Sequence, residues 1–424
     1  MIHTIAGAAN HSPPMKSKIA LYTIPILFIF GWWSLAFFDK HPSRPEKNFS
    51  AIKHRKAFTV PEFSSYLSSF SRDEIKSALS GDIELMTRLM KEWDVDAQIL
   101  ESQGLIGIRK LNRNAFIRSQ MIGRKIKEKD LELESQARSL IIFDDEGIPF
   151  QPSTTQQIFL PQTFVSASFL LALASPQEIA ALPKGMRAQT HLYPKVLTDQ
   201  IPLDTGRTNS EQLYRLHPGT AFVADYSHPA TLEMLKNQGI SLFTLKEMKT
   251  VDQVADAIAR IGNVANHPLQ AEVLSLFIES AMLAIDNRLI ALLHDMDQHH
   301  EKPRVMFLNH YAQFSVPTDR TIAGDLLHRL HRLRYSLIPQ QEVDAKFWSI
   351  PIDQEQIIHL NPDFLIIATN DQENLKKNIE KNPAFDAVNA KVNQRIHTID
   401  YTTQAPTQYI VLTYYDIAQS LMRY

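Results

Sequence analysis

The 424-residue chain contains no cysteine. That absence excludes disulfides, thiolate metal sites and a cysteine nucleophile. It also excludes a lipid anchor on an N-terminal cysteine, so any membrane anchor must be peptide. No excess of one charge is present either. Lys and Arg number 44 against 46 Asp and Glu, a formal net charge of −2, and no Lys/Arg run stands out as the basic face of a nucleic-acid binder. The usual catalytic signatures are missing as well: G-x-S-x-G, a phosphate loop, G-x-G-x-x-G and H-E-x-x-H. The acid pair Asp144-Asp145 falls in a stretch of linker composition. Catalysis is therefore the weaker class, and the chain is read as a non-enzyme. What remains is ordinary globular material, 44% hydrophobic and 21% charged, long enough for two or three domains.

The first informative stretch is LYTIPILFIFGWWSLAFF, Leu21 to Phe38, which carries no charge and follows Lys16 and Lys18. It sits at the lower edge of a bilayer span, which takes roughly 17–25 residues. It also has the form of a signal-peptide core, with Ser34 and Ala36 as a small-x-small cleavage site. Trp32-Trp33 stand where interfacial aromatics stand. Lys40, Arg44, Lys47, Lys53, Arg55 and Lys56 follow, and by themselves would favour a cytoplasmic C-terminal part. The pattern further along outweighs them, and residues 1–40 are read as a signal or membrane-anchor segment, with residues 19–38 exporting or tethering the chain.

Residues 41–150 form a zone rich in Ser, Lys, Arg and Glu. Helical patterning runs from Arg72 to Trp93, with Ser71 or Ser80 as N-caps, and from Asn112 to Leu140. The zone reads as a helical stalk or a small accessory domain. Asp144 to Gln157 has the composition of a linker. Beyond it, short apolar runs alternate with helical stretches: Ile158-Phe159-Leu160, Thr220 to Ala224 and Ser241 to Leu245, then Arg304 to Leu308, Phe364 to Ala368 and Arg395 to Ile399. Such alternation implies parallel βαβ packing. Between the two sets, Pro268 to His299 has no Gly and no further Pro. It predicts one helix about 48 Å long at roughly 1.5 Å per residue. The expected fold is α/β, with two Rossmann-like lobes: lobe one at 158–266, a linking helix at 268–299 and lobe two at 303–424.

Two segments echo each other across that helix. SEQLYRLHPGTAFVA, Ser210 to Ala224, aligns with QEQIIHLNPDFLIIA, Gln354 to Ala368. Glu211 pairs with Glu355, Leu216 with Leu360, Pro218 with Pro362 and Ala224 with Ala368. Each is a short amphipathic helix, a proline that stops it and a buried strand. This arrangement resembles the periplasmic binding proteins for ferric siderophores, haem and cobalamin, over about Ile158 to Tyr424. Arg320-Thr321-Ile322-Ala323-Gly324-Asp325-Leu326-Leu327 resembles that family's GTxIxDLL helix start. Asn382-Pro383-Ala384-Phe385, with Ala387-Val388 and Arg395-Ile396-His397, resembles its C-terminal run. Two places depart from it: Thr163 to Ser168 stands where the family reads SPSxTE, and His217-Pro218-Gly219 where it reads KPD. The resemblance implies a periplasmic solute-binding protein that hands a small-molecule chelate to the permease of an ABC importer. It implies no resident cofactor. The cargo would be a ferric siderophore, haem or cobalamin. Glu211 and Glu355 would be the two transporter-docking glutamates.

In such a fold, ligand sits where the loops after the strands of both lobes meet. Those loops supply Asp225, Tyr226, Ser227 and His228, then Asn309, His310, Tyr311, Arg320, Trp348, Asn370 and Tyr401. A large anionic chelate needs a planar cation and broad, stiff aromatic faces. Trp348, Tyr226, Arg320, Tyr311 and His228 are therefore the expected ligand contacts. His191, His228 and His310 are the alternative set, as imidazole ligands for a bare metal ion. A second class of function is also open: a membrane-tethered scaffold or assembly subunit of an envelope complex, with its cleft closed or filled.

Overall fold

A computed structural model describes residues 70–93, 142–150, 157–205, 215–296, 302–339 and 346–422. Leu21–Phe38, the helical pattern from Asn112 to Leu140, and Glu211 lie outside the described residues. Among the described residues no helix is long and apolar enough to cross a membrane.

The helical pattern from Arg72 to Trp93 forms two helices: α1, Arg72–Leu79, and α2, Ile83–Glu92. Ser71 caps the first through Oγ, accepting from Glu74 N, and Asp82 caps the second, accepting from Leu85 N at 3.0 Å. Ser80 is the C-cap of α1 and not an N-cap. Gly81 separates the two at φ +107°, a conformation open to glycine. The stretch beginning at Asp144 is a tight turn and not a linker. It joins β1, Ile142–Phe143, to antiparallel β2, Pro149–Phe150. The buried Asp144 carboxylate accepts from the amides of Glu146, Ile148 and, a hundred residues away, Thr244.

The first βαβ set follows. It comprises β3, Phe159–Pro161; α3, Phe164–Leu173; β4, Leu182–Pro183; α4, Lys195–Thr198; β5, Asp204–Thr205; β6, Thr220–Ala224; α5, Pro229–Asn237; β7, Ser241–Leu245; and α6, Val251–Val264. Strands β3, β6 and β7 are parallel neighbours in that order. Then comes α7, Pro268–Met296. The second set comprises β8, Arg304–His310; β9, Phe314–Pro317; α8, Ile322–Arg332; β10, Ser336–Leu337; β11, Ser349–Pro351; α9, Gln354–Leu360; β12, Phe364–Thr369; α10, Gln372–Lys381; α11, Asn389–Val392; β13, Ile396–Asp400; and α12, Ile410–Met422. Here β8, β12 and β13 are the parallel neighbours, and β9 and β11 extend the edge antiparallel.

The two sets repeat one plan. Strand β6 lies between two parallel neighbours in the first sheet as β12 does in the second, and these are the echoed strands. The residue before each echoed proline is left-handed, His217 at φ 49° and Asn361 at φ 44°. Where Asp363 of the second copy accepts from Arg304 N and Asn389 Nδ2, the first copy has Gly219, whose amide bonds Ile158 O directly.

Period-two burial explains how the layers close. Val305, Phe307, Phe364 and Ile366 face one large core, and Met306, Leu308, Leu365 and Ile367 face the outer helices. In the first sheet Phe222 and Phe243 join that same large core, while Ala221 and Val223 pack outward with Leu235 and Ile240. The inner faces of both sheets thus share one continuous core, and α7 belongs to it. From Ala271 to Ile285 every residue of α7 is buried, Glu272 and Glu279 among them. Helices α6, α12, α1 and α2 cover it. The described part of residues 41–150 does not stand off as a stalk, because α1 and α2 lie on this core.

One buried ionic cluster pins α7 to the second set. Asp286 of α7 accepts from Arg329 of α8 (Nε at 2.8 Å, Nη2 at 2.5 Å) and from Tyr414 OH of α12 at 2.6 Å. Burial, reinforced by the Asp286 carboxylate, pushes the Tyr414 phenol well above its usual range, so Tyr414 stays a donor. Removing one partner leaves a buried charge uncompensated. Arg329→Met is therefore expected to cost about 3–5 kcal/mol in urea unfolding. A variant as stable as the parent contradicts this role for the cluster.

Candidate ligand cleft

The parallel strands of each sheet end in loops that start at fixed caps. After β3, Thr163 caps α3: its Oγ1 accepts from Ser166 N at 3.1 Å, and Ser166 Oγ returns to Thr163 N. That capping box explains why Thr163 to Ser168 reads as it does. After β6, Ser227 Oγ accepts from Ala224 N at 3.0 Å, which holds Asp225 and Tyr226 outward, with Tyr226 77% exposed. His228 is the N-cap of α5, and its Nδ1 accepts from Ala230 N at 3.2 Å. In the second sheet β8 ends at His310, whose ring packs on Phe314 at 4.8 Å, and Tyr311 beyond it is 84% exposed. Strand β12 ends at Thr369 before Asn370, and β13 at Asp400 before Tyr401.

A second group forms beside β9 and β11. Thr318, buried, donates from its amide to Trp348 O at 3.0 Å and from Oγ1 to Phe347 O at 2.7 Å. Arg320 reaches back with Nη1 to Lys346 O at 3.0 Å. One threonine thus gathers Arg320, Phe347 and Trp348, and leaves Trp348 61% and Phe347 69% exposed. Thr321 then caps α8. Gly324 is required there, because a side chain would run into Thr318 O. Tyr311 is not part of this group. It lies in the β8–β9 turn, while Trp348 adjoins the far end of β9, where Ser349 pairs with Pro317. Phe314 to Pro317 spans three residue-to-residue steps, roughly 10 Å at about 3.3 Å each.

Among the described residues, hydrogen bonds join the lobes beyond the shared core. Asp325 of α8 accepts from Val251 N, the first amide of α6, at 3.0 Å. Ser168 of α3 and Gln408 exchange buried hydrogen bonds. His191 Nε2 lies 2.9 Å from Thr402 Oγ1 and 3.3 Å from Asp400 Oδ2. Thr402 Oγ1 already donates to Asp400 Oδ1, so His191 is the donor.

The imidazoles weighed as metal ligands are therefore employed separately: His191 in a bridge, His228 in a cap and His310 on a ring. No group of three His, Asp or Glu side chains suited to a metal ion occurs among the described residues. Glu355 is exposed in the first turn of α9, behind the cap Asp353. Sequence reasoning missed Phe347, Thr318 and the His191 bridge. Of these, only the Phe347-Trp348 dipeptide carried a sequence signal.

These side chains predict contrasting stabilities. Thr318→Val leaves the Phe347 carbonyl without its donor and should cost about 1–3 kcal/mol. Tyr311→Ala, at an exposed site, should stay within about 0.5 kcal/mol. Urea unfolding of both reads the contrast, and equal losses would refute it.

A family model described as periplasmic binding protein matches residues 180–402. Among solved structures, a Staphylococcus epidermidis protein described as a "possible" iron-binding (periplasmic solute-binding) protein is 20% identical, with TM-score 0.51. That match covers 63% of this chain and all of the other. A periplasmic binding protein from Veillonella parvula is 18% identical, with TM-score 0.51 over 66% of this chain and 90% of its own. An ABC transporter solute binding protein from Sulfurospirillum deleyianum is 13% identical, with TM-score 0.50 over 68% and 91%. These likenesses are of fold. No curated protein matches the sequence.

Proposed function

The chain belongs to the periplasmic binding protein family, and from that premise we propose that it captures an iron chelate of siderophore type, or a related large ligand, for an ABC importer. The family consists of solute-binding proteins that work with transporter permeases, not of enzymes. The observation that carries the finer reading is the group at Thr318. A large oxygen-rich chelate is recognised by a fixed guanidinium beside stiff aromatic faces. Arg320 is anchored through Lys346 O, and Phe347 and Trp348 stand open to water beside it. So large an apolar surface left exposed suits a binding face. Tyr226 and His228 from the first lobe, and Tyr311 from the second, are proposed as flanking contacts.

On this reading Glu355 on α9, together with Glu211, docks on the permease. Residues 19–38 export or tether the chain to the inner membrane. Residues 151–424 act as the bilobal binding domain, with α7 as the link between lobes. A scaffold role is the second reading, and a specific observation favours it: buried hydrogen bonds join the lobes at Ser168 and Gln408.

Titration separates the two. Full-length protein, which keeps α1 and α2 on the core, is titrated with ferric chelates, haem and cobalamin while tryptophan fluorescence is followed. At least one ligand is expected to quench through Trp348. Trp348→Ala and Arg320→Ala should each weaken its binding tenfold or more, about 1.4 kcal/mol per decade. No response from any of the three supports the scaffold reading instead.

A further inference from the structure

The turn between α1 and α2 lies where three elements meet. Gln270 of α7 donates through Nε2 to the carbonyl oxygens of Gly81 (2.7 Å) and of Ala172 in α3 (3.1 Å). Gln408, buried ahead of α12, donates to Ser168 O of α3 at 2.9 Å and reaches Leu79 O of α1 at 3.4 Å. Ser80 Oγ is 3.1 Å from Tyr409 OH. The Tyr409 ring packs edge-on against Tyr193 of the first lobe, with centroids 5.6 Å apart. One backbone turn therefore touches the first lobe, the long helix and the closing helix of the second lobe.

The rest of the hairpin is fastened to the second lobe and to α7. Arg72 grips Asp416 of α12 with two bonds, at 2.7 and 2.8 Å. Tyr415 OH donates to Phe70 O at 2.8 Å. The Phe70 ring contacts Trp93 and Tyr415, and Trp93 reaches Phe277 of α7 at 5.4 Å. The joint has no slack at Gly81, where a Cβ would stand 2.5 Å from Ala172 O.

We infer that the α1–α2 hairpin is an interlobe clasp that holds the two lobes at one angle. Turning one lobe against the other would part α3 from α12, break the bonds of half-buried Gln270 and leave the buried Gln408 amide unpaired, where an unmade hydrogen bond is unfavourable. The hairpin, α3 and α12 all lie outside the matched residues 180–402. The hairpin precedes both lobes in sequence. The lobe angle it holds does not depend on a ligand, so the inference is independent of which ligand, if any, binds.

The absence of native cysteine makes the test direct. Lys236→Cys on α5 and Asn378→Cys on α10 place spin labels on exposed positions of the equivalent outer helices of the two lobes. Pulsed electron–electron resonance on the full chain then reads the interlobe distance. The parent should give one narrow distribution. Gly81→Ala, which forces the turn off Ala172, should at least double its width while circular dichroism stays native. Arg72→Ala combined with Ser80→Ala loosens the same joint without strain at φ, should broaden the distribution likewise, and decides the matter if Gly81→Ala does not fold. A narrow, unshifted distance in the folded clasp variants, or a broad one in the parent, overturns the inference.

Discussion

The structure depends on one arrangement: a single continuous helix, α7, is a member of the core that the inner faces of both sheets also line. Its apolar side chains from Ala271 to Ile285 gain from leaving water, and the helices around α7 cover that stretch. Helices α6 and α12, the last helices of the two sets, cover it from equivalent positions, and α1 and α2 lie over it as well. The close approach of α6 needs Gly262, where a side chain would meet Ala271. Burying side chains such as Leu274, Phe277 and Ile278 contributes on the order of 1.5–3 kcal/mol each. The loops beyond the strands thus stand on a frame whose middle is buried.

That frame separates the roles of the residues. Strand interiors such as Phe222 and Ile366 hold the sheets to the common core, and the loops beyond the strand ends are free to carry exposed aromatics. Tyr226, Tyr311 and Trp348 all lie in such loops. Caps made from short side chains, Thr163, Thr321 and His228, fix where each loop stops and each helix begins. The chemistry offered to a ligand is therefore local to a few loops, and the stability comes from elsewhere.

Much of this was legible in the sequence because it rests on short-range rules. The echo of His217-Pro218 and Asn361-Pro362 corresponds to two left-handed residues ahead of two central strands. The strand runs correspond to β6, β7, β8, β12 and β13, with β13 shifted by one residue to Ile396–Asp400. What was not legible depends on contacts distant in sequence. The turn at Asp144 looks like a linker until its carboxylate is seen to bond Thr244. Nothing near Arg72 signals Asp416, 344 residues away. The gathering of Arg320 with Trp348 is set by Thr318 pairing across strands, and a single sequence does not display pairing.

Native-state hydrogen exchange tests the shared core most directly. If both sheets and α7 form one core, the amides from Ala271 to Ile285 should exchange only through global unfolding, with the same opening free energy as those of β6 and β12. Exchange of α7 well ahead of either sheet, or β6 and β12 opening at clearly different free energies, would contradict the account.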